Sequence, residues 1–204
     1  MQSIIMGATG LVGSELLRVL RGDVTALVRR ASGIPGERVI DFERIGEIEI
    51  PDGAHVYCAI GSTIKKAGSQ EAFRHVDFDY PQALAERTAK AGGKFMLVSS
   101  VGADAKSNNF YLRVKGELEE AVRTMELRAF HAFRPSFLMG ERVEKRPGEK
   151  MGIAAARAVG FLLPSKYRAI EAATVARAMA AAGNTDAVGN FIYHYTEIRK
   201  LAGA

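Results

Sequence analysis

A tyrosine and a lysine four residues apart, in Tyr111-Leu112-Arg113-Val114-Lys115, hold the sharpest chemistry in the chain. On a helix, positions i and i+4 share a face, so the phenol and the ammonium address the same space. A free tyrosine titrates at about pH 10, too high to give or take a proton readily at neutral pH. A neighbouring cation favours the phenolate and brings that value down. Upstream lies Ser99-Ser100, whose hydroxyls can hold a substrate oxygen by hydrogen bond. Ser100 is the first choice for that role and Ser99 the alternative. The catalytic set is therefore Ser100, Tyr111 and Lys115, and its chemistry is proton transfer at a small carbonyl or hydroxyl group.

These residues must be delivered by the elements around them. Lys94 to Val98 reads as an apolar strand that ends at the two serines, and Phe110 to Leu127 as one long helical pattern. The chain opens on another strand, Ser3 to Met6, which runs into Gly7-Ala8-Thr9-Gly10-Leu11-Val12-Gly13 and then a helix. Three glycines in that context suit a diphosphate: one for the turn, one for close backbone approach, one for helix packing. The N–H groups of Thr9, Gly10, Leu11 and Val12 would then face the anion at a helix N-terminus. A second strand, Val24 to Val28, ends in Arg29-Arg30, with no acid between Val24 and Arg30. Arginine suits a ribose 2′-phosphate where a carboxylate would suit a 2′-hydroxyl, which favours NADP(H) over NAD. Arg38 to Ile40 is a short third strand followed by Asp41-Phe42, a pair placed to flank the adenine or to serve as ordinary turn and core residues. His55 to Ile60 is the fourth strand, and Ala59, Ile60 and Gly61 leave room beside a cofactor. Helical patterns over 69–76 and 78–91 are broken near Asp77. A sixth strand, Phe130 to Phe133, closes in Arg134-Pro135-Ser136.

Alternating strands and helices imply an α/β fold. The expected architecture is a Rossmann-like doubly wound, mostly parallel sheet, with helices on both faces and a small helical C-terminal part. Ligands of such sheets bind beyond the carboxyl ends of the strands. The glycine turn, Arg29, Gly61, Ser99-Ser100 and Arg134-Pro135 all fall there.

With 204 residues, 48% of them apolar, the chain suits one domain with a substantial core. Residues 141–204 are expected to cover the substrate side. No apolar run approaches the roughly 20 residues that span a bilayer. Cys58 stands alone, and His55, His75, His131 and His194 lack ligand spacing, so neither disulfide nor metal is expected. The +5 formal charge is scattered without interleaved aromatics, which argues against nucleic acid. A cytoplasmic protein is the expectation, either alone or as a homodimer or with a protein partner.

The sequence resembles the short-chain dehydrogenase/reductases, in their atypical group. More closely, it is similar to the Tat-interacting-protein-like branch. The resemblance is carried by Leu27-Val28-Arg29-Arg30, Val76-Asp77-Phe78-Asp79-Tyr80, Ser99 to Asp104, Tyr111 to Glu117, Arg134-Pro135-Ser136 with Gly140, and Glu197 to Leu201. It covers nearly the whole chain. It implies NADP(H) binding, a Ser–Tyr–Lys site, and a backbone contact from the Arg134-Pro135 segment to the nicotinamide. Many active members of the wider family carry an asparagine near Asp77 that helps relay a proton. That departure leaves two functions open: an oxidoreductase, or an NADP(H)-binding regulator with little turnover. A sugar-nucleotide epimerase is a weaker third, because the C-terminal part is short.

Overall fold

The computed structural model describes residues 2–140 and 164–204. Runs of aliphatic residues bounded by turn residues become the strands β1 (Gln2–Met6), β2 (Asp23–Val28), β3 (Glu37–Val39), β4 (His55–Cys58), β5 (Lys94–Val98) and β6 (Ala129–Phe133). Leu138–Met139 (β7) and Ile170–Glu171 (β8) form a small parallel pair, and Gly189–Tyr193 is β9. The main sheet has the order β3-β2-β1-β4-β5-β6-β9 and is parallel throughout. Its strand order reverses at β1, between β2 and β4, and that is where doubly wound sheets bind ligands. Register aligns the strand ends: Met6 lies between Leu27 and Cys58, and Leu97 lies between Cys58 and Ala132. The glycine turn, Ala59, Ser99 and Arg134 therefore emerge side by side.

Each face of the sheet carries its own apolar layer. One holds Met6, Val56, Phe95 and Phe130 under α4 (Tyr80–Lys90), α5 (Phe110–Arg123) and a 3-10 turn at Phe42–Glu47. The other holds Ile5, Tyr57, Met96 and Phe133 under α1 (Leu11–Val19), α6 (Ala172–Gly183) and α7 (Tyr195–Leu201). Residues 172–201 thus build a layer of the same domain. Of the stretch expected to cover the substrate side, Glu141 to Leu163 lie outside the described residues.

Two helical boundaries depart from the sequence pattern for physical reasons. Between α3 (Gln70–Arg74) and α4 the chain does not break at Asp77; His75–Asp79 is one π-helical turn with right-handed helical geometry at both ends. A π turn inserts a residue into the helical repeat, so the apolar period slips and reads as a break. Helix α5 stops at Arg123 although the apolar pattern runs to Leu127. Met125 and Leu127 still pack on the core, but from a turn with short-range Met125-to-Val122 and Leu127-to-Met125 hydrogen bonds.

Candidate active site

The glycine turn is a cradle that side chains would fill. Gly7 has φ +93°, and a Cβ there would meet the Ala59–Ile60 backbone at 2.6 Å. A Cβ on Gly13 would lie 2.0 Å from the Gly7 carbonyl oxygen, so α1 can pack against its own turn only with glycine there. Gly10 is the exposed N-cap of α1, without a capping side chain and without an acid in the first turn. Unclaimed N–H groups and the helix dipole make this end receptive to an anion. Thr9 is exposed, Leu11 half-buried and Val12 buried, and Ala59 donates its N–H to the Met6 carbonyl (2.8 Å). These residues fit a dinucleotide diphosphate.

Arg29 and Arg30 leave β2 exposed. The Arg29 guanidinium lies 5.9 Å from the Phe42 ring centroid and lines a groove of about 400 Å³ with Asp41, Phe42, Glu43 and Tyr80. Among the described residues no carboxylate pairs with Arg29. Two expectations are sharpened here. Asp41 Oδ1 caps the 3-10 turn by accepting from the Glu43 N–H (3.0 Å), and Phe42 is a core residue, 5% exposed, set edge-on against Tyr80 at 5.7 Å. Glu43 accepts from the Tyr80 hydroxyl and contacts His75 Nε2 at 2.9 Å, while His75 Nδ1 contacts Asp79 at 2.8 Å. This polar cluster at the groove's rim was not anticipated.

Asn109 caps α5 by accepting from the Leu112 N–H (3.2 Å), which sets the helix that carries Tyr111 and Lys115. The Tyr111 ring is half-buried, 5.6 Å from that of Phe73. Lys115 is 3% exposed, with Nζ 2.8 Å from Asp77 Oδ1. Asp77 is fully buried, and its other oxygen accepts from the Ser62 N–H (2.8 Å). The π turn is what aims Asp77 inward, joining Lys115 to the loop after β4. Burial works against the Lys115 charge. The Asp77 carboxylate and then Tyr111 outweigh it and hold the ammonium above the ordinary lysine range.

The two serines part company. Ser99 is buried and donates its hydroxyl to Glu119, which also receives Arg134 through Nε (3.0 and 3.1 Å) and Nη2 (2.6 Å). Ser100 is half-buried, and among the described residues its hydroxyl has one long contact, 3.3 Å to the Val101 carbonyl. The Arg134 guanidinium is thus committed to Glu119. Ser136 donates its hydroxyl to the Arg168 carbonyl, and the Pro135 carbonyl accepts from the Val101 N–H (2.9 Å). Among the described residues no cluster of potential metal ligands occurs. Asp77 and Glu119 are the residues that the sequence reading left out of the site. Glu119 did carry a signal, since it continues the spacing of four from Tyr111 through Lys115.

No family model matches the chain. Curated relatives do. Rat protein HTATIP2 is 38% identical over 194 residues, covering 86% of this chain and 78% of its own length. Protein FMP52, mitochondrial, of Candida albicans is 33% identical over 176 residues, covering 78% and 76%. The chain belongs to the family of HTATIP2 and FMP52. Solved structures agree on the fold. Human epimerase family protein SDR39U1 with NADPH superposes at TM-score 0.68 and 18% identity, over 95% of this chain and 74% of that one. MoeE5 with UDP-glucose and NAD gives 0.70 and 17%, over 100% and 81%. The expectation of a cytoplasmic protein is overturned by the relatives' names, since the fungal members of this family are named as mitochondrial. No helix among the described residues is long and apolar enough to cross a membrane.

Proposed function

We propose that the chain is an NADP(H)-dependent oxidoreductase acting on a small carbonyl or alcohol. The observation that carries this reading is the Asp77–Lys115 pair. A lysine held buried and charged on the helix face of Tyr111 is what a phenolic proton donor needs. The nicotinamide, when bound, supplies or takes the hydride. In the reductive direction Tyr111 gives its proton to the substrate oxygen, Ser100 holds that oxygen, and Lys115 stabilises the phenolate and binds the ribose. The first turn of α1 binds the diphosphate. Arg29 selects the 2′-phosphate, supported by its exposed guanidinium at the end of β2, which pairs with no carboxylate among the described residues.

Tyr111→Phe is expected to lower NADPH oxidation in a carbonyl and quinone screen by about 10²–10⁴-fold, the usual range for a proton donor. NADPH affinity should hardly move. Full activity in that variant would remove Tyr111 from the mechanism. Arg29→Glu should weaken NADPH far more than NADH; equal affinity of the unmodified chain for the two would sink the phosphate reading. A second reading, an NADP(H)-binding regulator, is favoured by Asp77 standing near the position where many active members of the wider family carry a relay asparagine. Cofactor-dependent partner binding, with no turnover anywhere in the screen, would favour it.

A further inference from the structure

We propose that Glu119 is a positioning residue for this reaction, one that makes Ser100 rather than Ser99 the hydroxyl offered to the substrate. The inference rests on the oxidoreductase reading. It starts from the spacing on α5. Tyr111, Lys115 and Glu119 follow one another at intervals of four, down one face of the helix. Glu119 is 5% exposed, and both of its oxygens are spoken for. Oε1 accepts from the Ser99 hydroxyl and from Arg134 Nε (3.0 Å); Oε2 accepts from Nε (3.1 Å) and Nη2 (2.6 Å).

The three partners sit on three elements: Ser99 just beyond β5, Arg134 just beyond β6, and Glu119 in α5. Backbone bonds tie the same strand ends on either side of Ser100. Ser99 donates its N–H to the Phe133 carbonyl (2.7 Å), and Val101 to the Pro135 carbonyl (2.9 Å). Ser100 therefore sits in the middle of a clamped segment. The Ser99 hydroxyl is engaged by Glu119, whereas the Ser100 hydroxyl has among the described residues one long contact, 3.3 Å to the Val101 carbonyl, and is the one left to bond a substrate oxygen. Gly116, one residue past Lys115, lets the following loop close on the helix; a Cβ there would lie 2.2 Å from the Asp104–Ala105 backbone. Arg134 also neutralises the Glu119 carboxylate, so the clamp adds no net charge beside Lys115. The Arg134-Pro135 backbone, the segment expected at the nicotinamide, is fixed by the same carboxylate.

The test uses the full chain with NADPH. Misplacing a reacting group by about 1 Å costs on the order of 10²-fold in rate. In Glu119→Gln, which puts an amide N–H against Arg134, kcat should fall about 10–100-fold while the NADPH Kd stays within about threefold. The emission maximum of bound NADPH should shift as the Arg134-Pro135 segment relaxes, and Glu119→Asp should recover part of both changes. Unchanged kcat with unchanged emission would overturn the proposal. So would losses of kcat and NADPH binding in equal proportion, because that marks a smaller folded fraction. Should Glu119→Gln fail to fold, Ser99→Ala and Ser100→Ala decide. Ser100→Ala should be the more damaging to kcat, and a Ser99→Ala loss as large or larger would overturn the assignment. If the unmodified chain binds NADPH but turns nothing over, the oxidoreductase reading fails. The emission of Glu119→Gln then still decides whether Glu119 positions the cofactor end of the site.

Discussion

Two lysines are buried among the described residues, at opposite ends of the sheet, and they are held in opposite ways. Lys115, beyond the carboxyl ends, faces the Asp77 carboxylate at 2.8 Å. Lys94 begins β5, 5% exposed, and donates to the Gly183 carbonyl (2.9 Å) and to the Thr185 carbonyl. It caps the C-terminal end of α6, where the helix dipole favours a cation. The electrostatic outcomes diverge. Lys115 is held above the ordinary lysine range, while Lys94 is pushed down, by burial first and then by Arg128. Carbonyls satisfy a cation's hydrogen bonds but supply no formal charge. A carboxylate does both. The carboxyl end of the sheet, where the proposed chemistry lies, has the carboxylate, and the end that closes a helix has the carbonyls.

The neighbours of Lys94 extend the contrast. His55 pairs with Lys94 in register across β4 and β5, and His131 lies on the same face of β6. Both are buried, and both are lowered to about 4, by burial first and then by the Lys94 charge. His131 stacks on Phe191 with ring centroids 5.0 Å apart, and its Nδ1 meets the Tyr193 hydroxyl at 3.0 Å. His131 Nε2 and His55 Nδ1 have no hydrogen-bond partner among the described residues. This region excludes protons, whereas the function proposed above asks the Tyr111 region to move one.

The largest expected effect comes from breaking the carboxylate pair. Lys115→Ala leaves Asp77 charged and alone at full burial, a loss of about 3–5 kcal/mol in stability. Activity should fall about 10²–10⁴-fold with it. Replacing both partners, Asp77→Leu with Lys115→Met, should recover most of the stability and none of the activity, since apolar residues often substitute for a buried ion pair. Urea unfolding beside the NADPH assay reads both quantities. A Lys115→Ala chain of ordinary stability would show that the pair is not the coupled unit described.

Acid sharpens the comparison from the other end. Each histidine titrates near 6.5 in the unfolded chain and at about 4 in the folded one. Between those values the unfolded chain binds more protons, so stability falls as the pH falls. The contribution is complete above about pH 6.5 and is lost progressively down to about 4, at up to ~1.4 kcal/mol per pH unit for each histidine. His75 acts with the opposite sign. Held above its usual value by Asp79 and then Glu43, it favours the folded chain at low pH and loses that contribution as the pH rises, but its side chain is 43% exposed and its contribution weak. Urea midpoints between pH 7 and 4.5 should therefore drop steeply, and His131→Phe should remove about half of the slope. A flat profile would mean that the two histidines take up protons without unfolding.

Much of this was legible in the sequence, and the rest was hidden by particular geometry. The parallel sheet followed from alternation, and β5 was bounded as it stands because Gly92-Gly93 and Ser99-Ser100 punctuate it on both sides. Tyr111 and Lys115 were legible because both partners lie on one helix, where spacing is geometry. Asp77 and Lys115 are 38 residues apart by their numbers, and only the π turn brings them together. Ser99 and Ser100 are chemically identical, so their roles separate only when Glu119 chooses one. Phe42 carried the same ambiguity, since an aromatic beyond a strand end fits a core as well as an adenine. The edge strand β9 is hard to read from sequence because Gly189 and Asn190 are poor strand formers, and pairing with β6 overrides that preference.

The smallest expected effect isolates the Lys94 charge itself. Lys94→Met keeps the apolar stem and removes the ammonium, leaving the Gly183 and Thr185 carbonyls without their donor. At neutral pH that should cost about 1–3 kcal/mol, the range for a buried polar group that loses its partner. NADPH affinity and kcat should not change, because Lys94 lies at the amino end of β5, the full length of the strand from Ser99. The charge also acts on His55 and His131. Without it, their folded-state values rise toward 6.5, although burial, the larger cause, still holds them down. The gap between folded and unfolded titration narrows, so the variant should lose less stability than the parent between pH 6.5 and 4. The two curves of stability against pH should converge toward acid. Parallel curves would mean that Lys94 only caps the helix and that burial alone keeps the histidines neutral.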